Sequence, residues 1–216
     1  MSLREAHKDR TRASLVDAAF GVLEERGIEQ LTAESVAERA GVSRRTLFNY
    51  FGTVEETLLV PDHASMDTLV AEIERSEASV PPLDVLRRAL PTVFDATVFD
   101  RIASIRRAAV HSPALRRAET AIVTDSVRDA LALLEARSRR VGVEPDRLFL
   151  AGLARSGLGV IETAAEAWME RTCGTADEES RRTFIELAQR ALDDLRSGYG
   201  SADTPDSPDT TTEGRP

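Results

Sequence analysis

The sequence has very little cysteine and histidine. Cys173 is its single cysteine, which excludes an intrachain disulfide framework and a cysteine-based metal site. The three histidines, His7, His63 and His111, are never spaced four residues apart as they are in a zinc-binding helix. We therefore expect no metal site and no catalytic residues of these two types.

The sequence also lacks a long apolar run and the glycine motifs of common enzyme classes. Its N-terminus, MSLREAHKDRTRASL, has no apolar signal segment, and no uninterrupted apolar run approaches the ~20 residues of a membrane-spanning helix. The nucleophile-elbow, Walker and dinucleotide-binding patterns are missing. We expect a cytoplasmic protein that is not an enzyme, needs no cofactor and does not bind membranes.

Aromatic residues make up only 5% of the chain, and no alternating β-branched run is bounded by Asn-Gly or Asp-Gly turns. The 12 glycines and 9 prolines fall mostly between segments of helical periodicity. These features predict an all-α protein of about nine helices. We place a three-helix head in residues 1–52 and a helical body in residues 53–196, and we predict a disordered tail over residues 197–216 because that stretch has few apolar side chains.

Apolar periodicity and turn residues set the predicted helix boundaries. The first helix is expected over residues 10–26, and two short helices follow within residues 31–50. A capping-box pattern, Thr53-Val-Glu-Glu56, predicts a fourth helix that meets Pro61, where the helix stops or kinks. The predicted helices of the body then cover residues 83–99, with a bend at Pro91, and residues 100–110, 113–140, 148–169 and 177–196.

The charge of the chain is unevenly distributed. The formal net charge is −9 at pH 7, which argues superficially against a nucleic-acid partner. Residues 1–50, however, contain eight basic and eight acidic side chains, so the remaining residues carry the whole excess of negative charge. A neutral head with a local basic cluster, attached to an acidic body, is compatible with DNA binding through one face only.

The most informative stretch is residues 31–50, LTAESVAERAGVSRRTLFNY. Thr32 can cap a first short helix, since its hydroxyl can accept a hydrogen bond from the first turn. Ala37, Gly41 four residues later and Leu47 six residues after that have the spacing of a helix-turn-helix. Alanine is small where two helices cross, glycine readily adopts a left-handed turn conformation, and leucine fills the core beneath.

Two arginines sharpen this interpretation. Ser43 can cap the second short helix, and Arg44 and Arg45 follow in its first turn. The N-terminal end of a helix carries a partial positive charge, so each cation there destabilises the helix by roughly 0.3–1 kcal/mol. Helix stability alone does not favour them there, whereas an anionic partner does.

This part of the sequence resembles the DNA-binding domain of the tetracycline-repressor (TetR) family of bacterial transcription regulators. The resemblance covers roughly residues 10–60 and is carried by Ala18, Ala19, Phe20, Gly27, Thr32, Val36, Ala37, Ala40–Ser43, Thr46–Phe51, Glu55 and Glu56. Val54 departs from the family pattern, because members often carry there a lysine that contacts a phosphate. The body is similar to the family only in length, helical character and helix count.

The resemblance implies a double-stranded DNA operator as the partner of the head. The expected DNA-binding residues are Arg10, Arg12, Thr32, Ser43, Arg44, Arg45, Thr46, Asn49 and Tyr50. The second short helix would enter the major groove, where one of the two adjacent arginines binds guanine and the other a phosphate.

Several of these assignments stay open. Asn49 either reads adenine or bonds the DNA backbone, and the alternative for the whole set is an ordinary solvated helix face. Arg10 and Arg12 either reach phosphates or lie in a frayed helix end. We assign Phe48 and Phe51 to packing rather than to base contacts.

The body is expected to bind a small-molecule effector with a carbonyl or acidic group. The candidate ligand-binding residues are polar or amphipathic side chains in apolar surroundings: Phe94, His111, Thr120, Thr124, Arg155 and Trp168. Ordinary core packing or surface exposure is the competing explanation for each of them.

The leading hypothesis is a homodimeric repressor that its effector releases from a pseudo-palindromic operator. The last two helices are apolar on more than one side, which favours a four-helix interface with a second copy. Gly152, Gly157 and Gly159 in the first of them predict close approach of a neighbouring backbone. The alternatives are a helical small-molecule-binding module or enzyme with a purely structural head, and a DNA-binding protein without an effector.

Overall fold

The computed structural model describes residues 3–59, 63–77, 79–144 and 146–198. Within these ranges the chain forms nine α-helices, two short 3-10 turns and no β-strand, so the predicted all-α fold is confirmed. The helices are α1 (Leu3–Arg26), α2 (Ala33–Arg39), α3 (Arg44–Tyr50), α4 (His63–Arg75), α5 (Pro82–Val93), α6 (Ala96–His111), α7 (Pro113–Arg140), α8 (Arg147–Thr172) and α9 (Glu178–Ser197). The predicted tail lies outside the described residues from position 199 onward.

Helix α1 starts seven residues earlier than the apolar periodicity predicts. Residues 3–9 contain neither proline nor glycine, and most of them are good helix formers. The Thr11 hydroxyl donates to the His7 carbonyl at 3.0 Å, within this first part of the helix. The prediction was too short because these turns lack an apolar stripe, and periodicity cannot detect a helix that is polar all round.

The helices of the head enclose an apolar core that continues into the body. Leu15 and Val22 of α1, Val36 of α2 and Leu47 of α3 are almost completely buried in one cluster. The same cluster includes Leu115 of α7, together with the α6 alanines 108 and 109. The head is therefore packed directly against α6 and α7.

The predicted fourth helix starting at Thr53 is wrong. The segment forms only a 3-10 turn, Glu55–Thr57. The capping groups are used locally: the Thr53 hydroxyl accepts from the Glu56 amide at 3.3 Å, and the Glu56 carboxylate accepts from the Gly52 amide at 2.7 Å. The turn buries Leu58 in the head core, a tertiary gain that local sequence does not reveal. Pro61, the predicted stop or kink, lies outside the described residues.

The predicted boundary between the helices over residues 83–99 and 100–110 is also misplaced. Helix α5 ends at Val93, two residues beyond Pro91, so the break between the two helices falls at Phe94 and Asp95. The Asp95 carboxylate then caps α6 by accepting from the Val98 amide at 2.9 Å. Phe99 is consequently a buried residue inside α6 rather than the end of a helix.

The second core lies where α8 and α9 pack against α5 and α6. Four aromatic rings meet there, Phe94, Phe99, Trp168 and Phe184, with edge-to-face pairs at centroid distances of 5.0 and 5.1 Å. Such contacts stabilise a core beyond the burial of the rings alone. Four of the ten aromatic residues of the chain thus meet at one site.

One buried arginine joins the end of α7 to the connection between α4 and α5. Arg137 donates to the Ser76 hydroxyl at 3.3 Å and to the carbonyls of Glu77 and Val80 at 3.0 and 2.6 Å. Burial, reinforced by the charge of Arg140, holds the pKa of Arg137 below its ordinary value. The guanidinium thereby satisfies carbonyl groups beyond the C-terminus of α4.

We expect Arg137→Met to destabilise the protein by about 2 kcal/mol, because it leaves these partly buried carbonyls without their donors. The matched control, Arg139→Met, removes one of two ion pairs of Glu135, whose carboxylate keeps Arg147 as a partner, and we expect a loss below about 1 kcal/mol. Urea unfolding of both variants and the wild type measures the difference. Equal midpoints for the two variants would contradict the structural role of Arg137.

Candidate functional site

The α2–turn–α3 unit is capped as its sequence predicts. The Thr32 hydroxyl accepts from the Ser35 amide at 3.1 Å, and Ser35 returns the bond by accepting from the Thr32 amide at the same distance. Gly41 has a φ of 68°, the left-handed conformation that the tight turn requires. The Ser43 hydroxyl accepts from the Thr46 amide at 3.1 Å at the start of α3. The helix-turn-helix geometry is therefore confirmed.

Helix α3 is held by one side and exposed on the other. Leu47 is fully buried and Tyr50 packs partly against the head core. Arg44, Arg45 and Asn49 are exposed to solvent. A helix of seven residues does not persist alone, so the burial of Leu47 determines which side chains it presents.

The prediction that Phe48 is a packing residue is wrong. Its side chain is 47% exposed and lies on α3 one residue beyond the buried Leu47. Phe51, which received the same assignment, is buried in the head core. Residues adjacent in a helix point in directions about 100° apart, so one buried position on such a short helix leaves its neighbour exposed.

The two adjacent arginines differ in their surroundings. Arg44 Nη1 lies 2.6 Å from Glu34 Oε1 of α2, and both side chains are more than half exposed. Such a surface pair contributes at most about 1 kcal/mol, so a phosphate or base can compete for the guanidinium. Arg45 is exposed and forms no ion pair with any residue in the described ranges.

Of the two predicted basic residues in α1, Arg10 is exposed whereas Arg12 is packed. The guanidinium carbon of Arg12 lies 4.9 Å from the centroid of the Phe51 ring, a cation–π contact. Arg12 is thus neither frayed nor fully free. Both arginines belong to a continuous helix.

Helix α2 is oriented on α1 by a second arginine contact. The Arg39 guanidinium donates to both carboxylate oxygens of Glu25 at 2.6 Å and lies across Gly21. These hydrogen bonds hold the pKa of Glu25 below its ordinary value and raise the pKa of Arg39. A Cβ atom at Gly21 would come within 2.5 Å of the guanidinium, so a larger residue there would displace the Arg39 side chain.

A cavity of about 450 Å³ lies between the head and the body. Phe20 of α1 and Leu58 contribute from the head side, and aliphatic residues of α4 to α8 form most of the remaining wall. This volume is within the usual range for small-molecule sites, ~300–1,000 Å³. The cavity therefore borders both the core that seats α3 and the core of the body.

Few polar groups line this cavity. The charged ones described in its wall are Arg101 and Arg106 of α6 and Glu119 and Asp129 of α7. Burial raises the pKa of Glu119, while the positive charge of Arg106 acts in the opposite direction. Sequence reasoning missed these residues. For Arg101 and Arg106 the signal available was their position beside the α6 apolar stripe of Val98, Ile102 and Ile105, which also lines the cavity.

Only one of the predicted ligand-binding residues, Phe94, lines the cavity. The indole N–H of Trp168 donates to the Ser180 hydroxyl at 2.7 Å, and the ring is completely buried in the aromatic core. The structure places four further candidates on exposed surface and not in the described wall: His111, Thr120, Thr124 and Arg155. Polarity near apolar residues does not show which face of a helix turns inward, and that explains the difference.

No group of three or more metal-ligating side chains occurs in the part of the chain that the structure describes.

Helix α8 is long and apolar enough to cross a membrane by length and composition, a property that core helices of soluble proteins share. On this helix Leu148 is 86% exposed and Phe149 is 63% exposed. Gly157 contacts α5 side chains, whereas a Cβ at Gly152 or Gly159 would meet nothing within 4 Å. Within the described residues none of the three glycines is closely approached by a neighbouring backbone, because a Cβ at Gly157 would meet only leucine side chains, at 3.6 and 3.9 Å.

Comparison with known proteins identifies similar sequences for the head. Residues 15–58 match the family described as bacterial regulatory proteins, tetR family. The chain is 36% identical over 93 residues to the HTH-type transcriptional regulator TtgR of Pseudomonas putida, covering 42% of this chain and 44% of TtgR. It is 33% identical over 91 residues to TcmR of Streptomyces glaucescens, covering 42% of this chain and 40% of TcmR. The matches thus span less than half the length of these curated relatives.

Solved structures are similar over most of the chain. FadR of Thermus thermophilus, a TetR-family transcriptional repressor crystallised with lauroyl-CoA, superimposes with a TM-score of 0.56 at 24% identity, covering 91% of this chain and 98% of FadR. A TetR-family regulator structure from Mesorhizobium loti gives a TM-score of 0.52 at 15% identity, covering 88% and 96% of the two chains. At these identities the likeness establishes the fold of the body and no more.

The capping geometry predicts a specific pattern of stability. We expect Ser43→Ala to cost about 1 kcal/mol, because it leaves a first-turn amide of α3 without its acceptor. We expect Ser43→Gly to cost only a few tenths of a kcal/mol, since glycine is a tolerated N-cap. Urea unfolding compares the two variants, and an alanine variant as stable as the glycine variant would contradict the cap.

Proposed function

We propose that this chain, whose residues 15–58 match the family of bacterial regulatory proteins described as tetR, is a DNA-binding transcription regulator of that family. The observation that carries the proposal is the exposed face of α3. It presents Arg44, Arg45 and Asn49 from a helix that the buried Leu47 anchors. That arrangement suits insertion of α3 into the major groove of an operator.

The two arginines would divide base and backbone contacts. One guanidinium donates two hydrogen bonds to guanine, and the other contacts a phosphate. Arg44 would exchange its exposed partner Glu34 for a DNA group, whereas Arg45 needs no such exchange. Asn49 lies on the same exposed face and reads adenine or contacts the backbone.

The remaining contacts would be to phosphates. We assign them to Thr32, Thr46 and Tyr50, with Ser43 positioning the first turn of α3 and Arg10 reaching from α1. Arg12 would contribute less than Arg10, because its guanidinium is stacked on Phe51. Val54, at the position where lysine is frequent in the family, packs against the head core.

We further propose that the regulator is a homodimer. The support is the outer surface of α8, where Leu148 and Phe149 are exposed and Gly152 and Gly159 leave open space for another backbone. A four-helix interface of α8 and α9 with their copies would cover these residues. Two copies of α3 would then meet half-sites ~34–36 Å apart on a pseudo-palindromic operator.

An effector in the cavity would control DNA binding by shifting the population of head positions. Arg101 supports this coupling, because it lines the cavity and also contacts α1 at two points. Its Nη2 lies 2.9 Å from Asp17 Oδ1, and its guanidinium carbon lies 5.0 Å from the Phe20 ring centroid. A ligand that moves α6 would thereby move α1. The cavity also argues against the alternative of a DNA-binding protein without an effector.

DNA binding distinguishes the regulator from a small-molecule-binding module or enzyme with a structural head. We expect the protein to bind DNA from upstream of its own gene. The logarithm of its binding constant should fall by about 0.9 per phosphate contact for each tenfold increase in salt concentration. Fluorescence anisotropy across a salt series measures both quantities. Failure to bind at low salt would favour the module.

Single substitutions assign the two arginines. At the guanine-reading position, alanine should weaken operator binding by about 1–3 kcal/mol and relax the base preference. At the phosphate-binding position, alanine should reduce the slope of the salt dependence by about one and weaken binding to all DNA sequences equally. Arg75→Ala, an exposed arginine of α4 paired with Glu72, is the matched control. If Arg44→Ala and Arg45→Ala both behave like this control, α3 is not the reading helix.

The dimer has its own test. We expect the double variant Leu148→Glu and Phe149→Glu to sediment as a monomer at micromolar concentration, because two charges cannot be buried unpaired in an apolar interface. Val110→Glu replaces an equally exposed apolar residue of α6 and should leave the dimer intact. A wild-type protein that sediments as a monomer would overturn the dimer.

A further inference from the structure

The wall of the cavity contains an ion pair that is too long to be a hydrogen bond. Arg106 Nε of α6 lies 3.8 Å from Glu119 Oε1 of α7, and the two side chains retain 29% and 20% of their exposure. Neither side chain forms a hydrogen bond with a residue in the described ranges. No described side chain or backbone group therefore uses their donors and acceptors, and both groups line a mostly aliphatic space.

The other described charges in the wall also have partners. Arg101 pairs with Asp17 at 2.9 Å, and Asp129 lies 3.9 Å from Arg128. The next charges near Glu119, those of Glu162 and Arg116, are of opposite sign and offset one another. A ligand with a formal charge would therefore bring an uncompensated charge into an apolar cavity or break an existing pair, and both are unfavourable.

We propose that this cavity binds a predominantly apolar, electrically neutral molecule whose single polar group, a phenol, alcohol or primary amide, inserts between Arg106 and Glu119. A hydroxyl would donate to the Glu119 carboxylate and accept from the Arg106 guanidinium. One oxygen can lie ~2.8 Å from both atoms, because these are only 3.8 Å apart. The inference deepens the proposed function by naming the chemical class of its effector.

A charged ligand group would be attracted by one side chain of the pair and repelled by the other. A cationic group placed at Glu119 approaches the like charge of Arg106. An anionic group placed at Arg106 approaches the like charge of Glu119. A neutral group that both donates and accepts is the one that satisfies the two together, and hydrogen bonds to charged partners are stronger than neutral ones.

Four probes with one skeleton test this selectivity: 4-butylphenol, butylbenzene, 4-butylbenzoate and 4-butylbenzylamine. Isothermal titration calorimetry of the full-length protein at neutral pH measures their affinities directly. We expect the phenol to bind about tenfold or more tighter than the other three, since it alone uses both hydrogen-bonding partners without adding charge. A charged probe that binds most tightly, or no binding by any of the four, would overturn the proposal.

Two variants move the selectivity in opposite directions. Glu119→Gln leaves Arg106 uncompensated, so the benzoate should gain about tenfold relative to the phenol. Arg106→Gln leaves Glu119 uncompensated, so the benzylamine should gain by a similar factor. Misfolding cannot produce a gain for one probe. The exposed α8 residues Glu166 and Arg155 supply matched controls, and Glu166→Gln and Arg155→Gln should preserve the wild-type ranking.

Ratios of probe affinities that stay at their wild-type values in both cavity variants would show that the pair does not select the ligand, and would overturn the proposal. Operator binding by the ligand-free protein is measured separately. Its absence would contradict the proposed regulator, while the probe ranking would still decide the ligand class.

Discussion

The burial of one apolar cluster underlies the whole arrangement. Helix α3 has seven residues and cannot hold its conformation alone, so its orientation depends on Leu47 being enclosed by α1 and α2. The same cluster takes in the 3-10 turn through Leu58 and reaches Leu115 of α7. The helix that would read DNA and the helices that surround the cavity share this core, so packed side chains rather than a flexible linker connect them.

Charge is arranged so that it is compensated inside and available outside. The charged side chains described in the cavity wall each have an opposite partner, which keeps an apolar space free of net charge. On α3 the charges are available to a ligand, since Arg45 is exposed and both Arg44 and its partner Glu34 are exposed to solvent. This contrast separates a surface suited to a polyanion from a cavity suited to a neutral molecule, although the chain as a whole carries −9.

The predictions succeeded where a short local pattern has one stable solution. Thr32 and Ser43 cap their helices, and Gly41 adopts the left-handed turn, because each depends on neighbours within four residues. They were wrong where tertiary contacts decided between local options. Thr53 offers a capping box, yet the segment forms a single turn that buries Leu58, and Phe48 is exposed because Leu47 takes the inward position.

The sequence by itself determined the helical class, the helix-turn-helix and the basic first turn of α3, since periodicity, capping residues and charge are local properties. Only the tertiary structure decided which polar residues of the body face inward. Arg106 and Glu119 meet across α6 and α7, whereas His111, Thr120, Thr124 and Arg155 lie on exposed surface. The physical reason is that the rotation of each helix about its axis follows from the packing of all its neighbours, and two residues distant in sequence share a cavity only after that packing is complete.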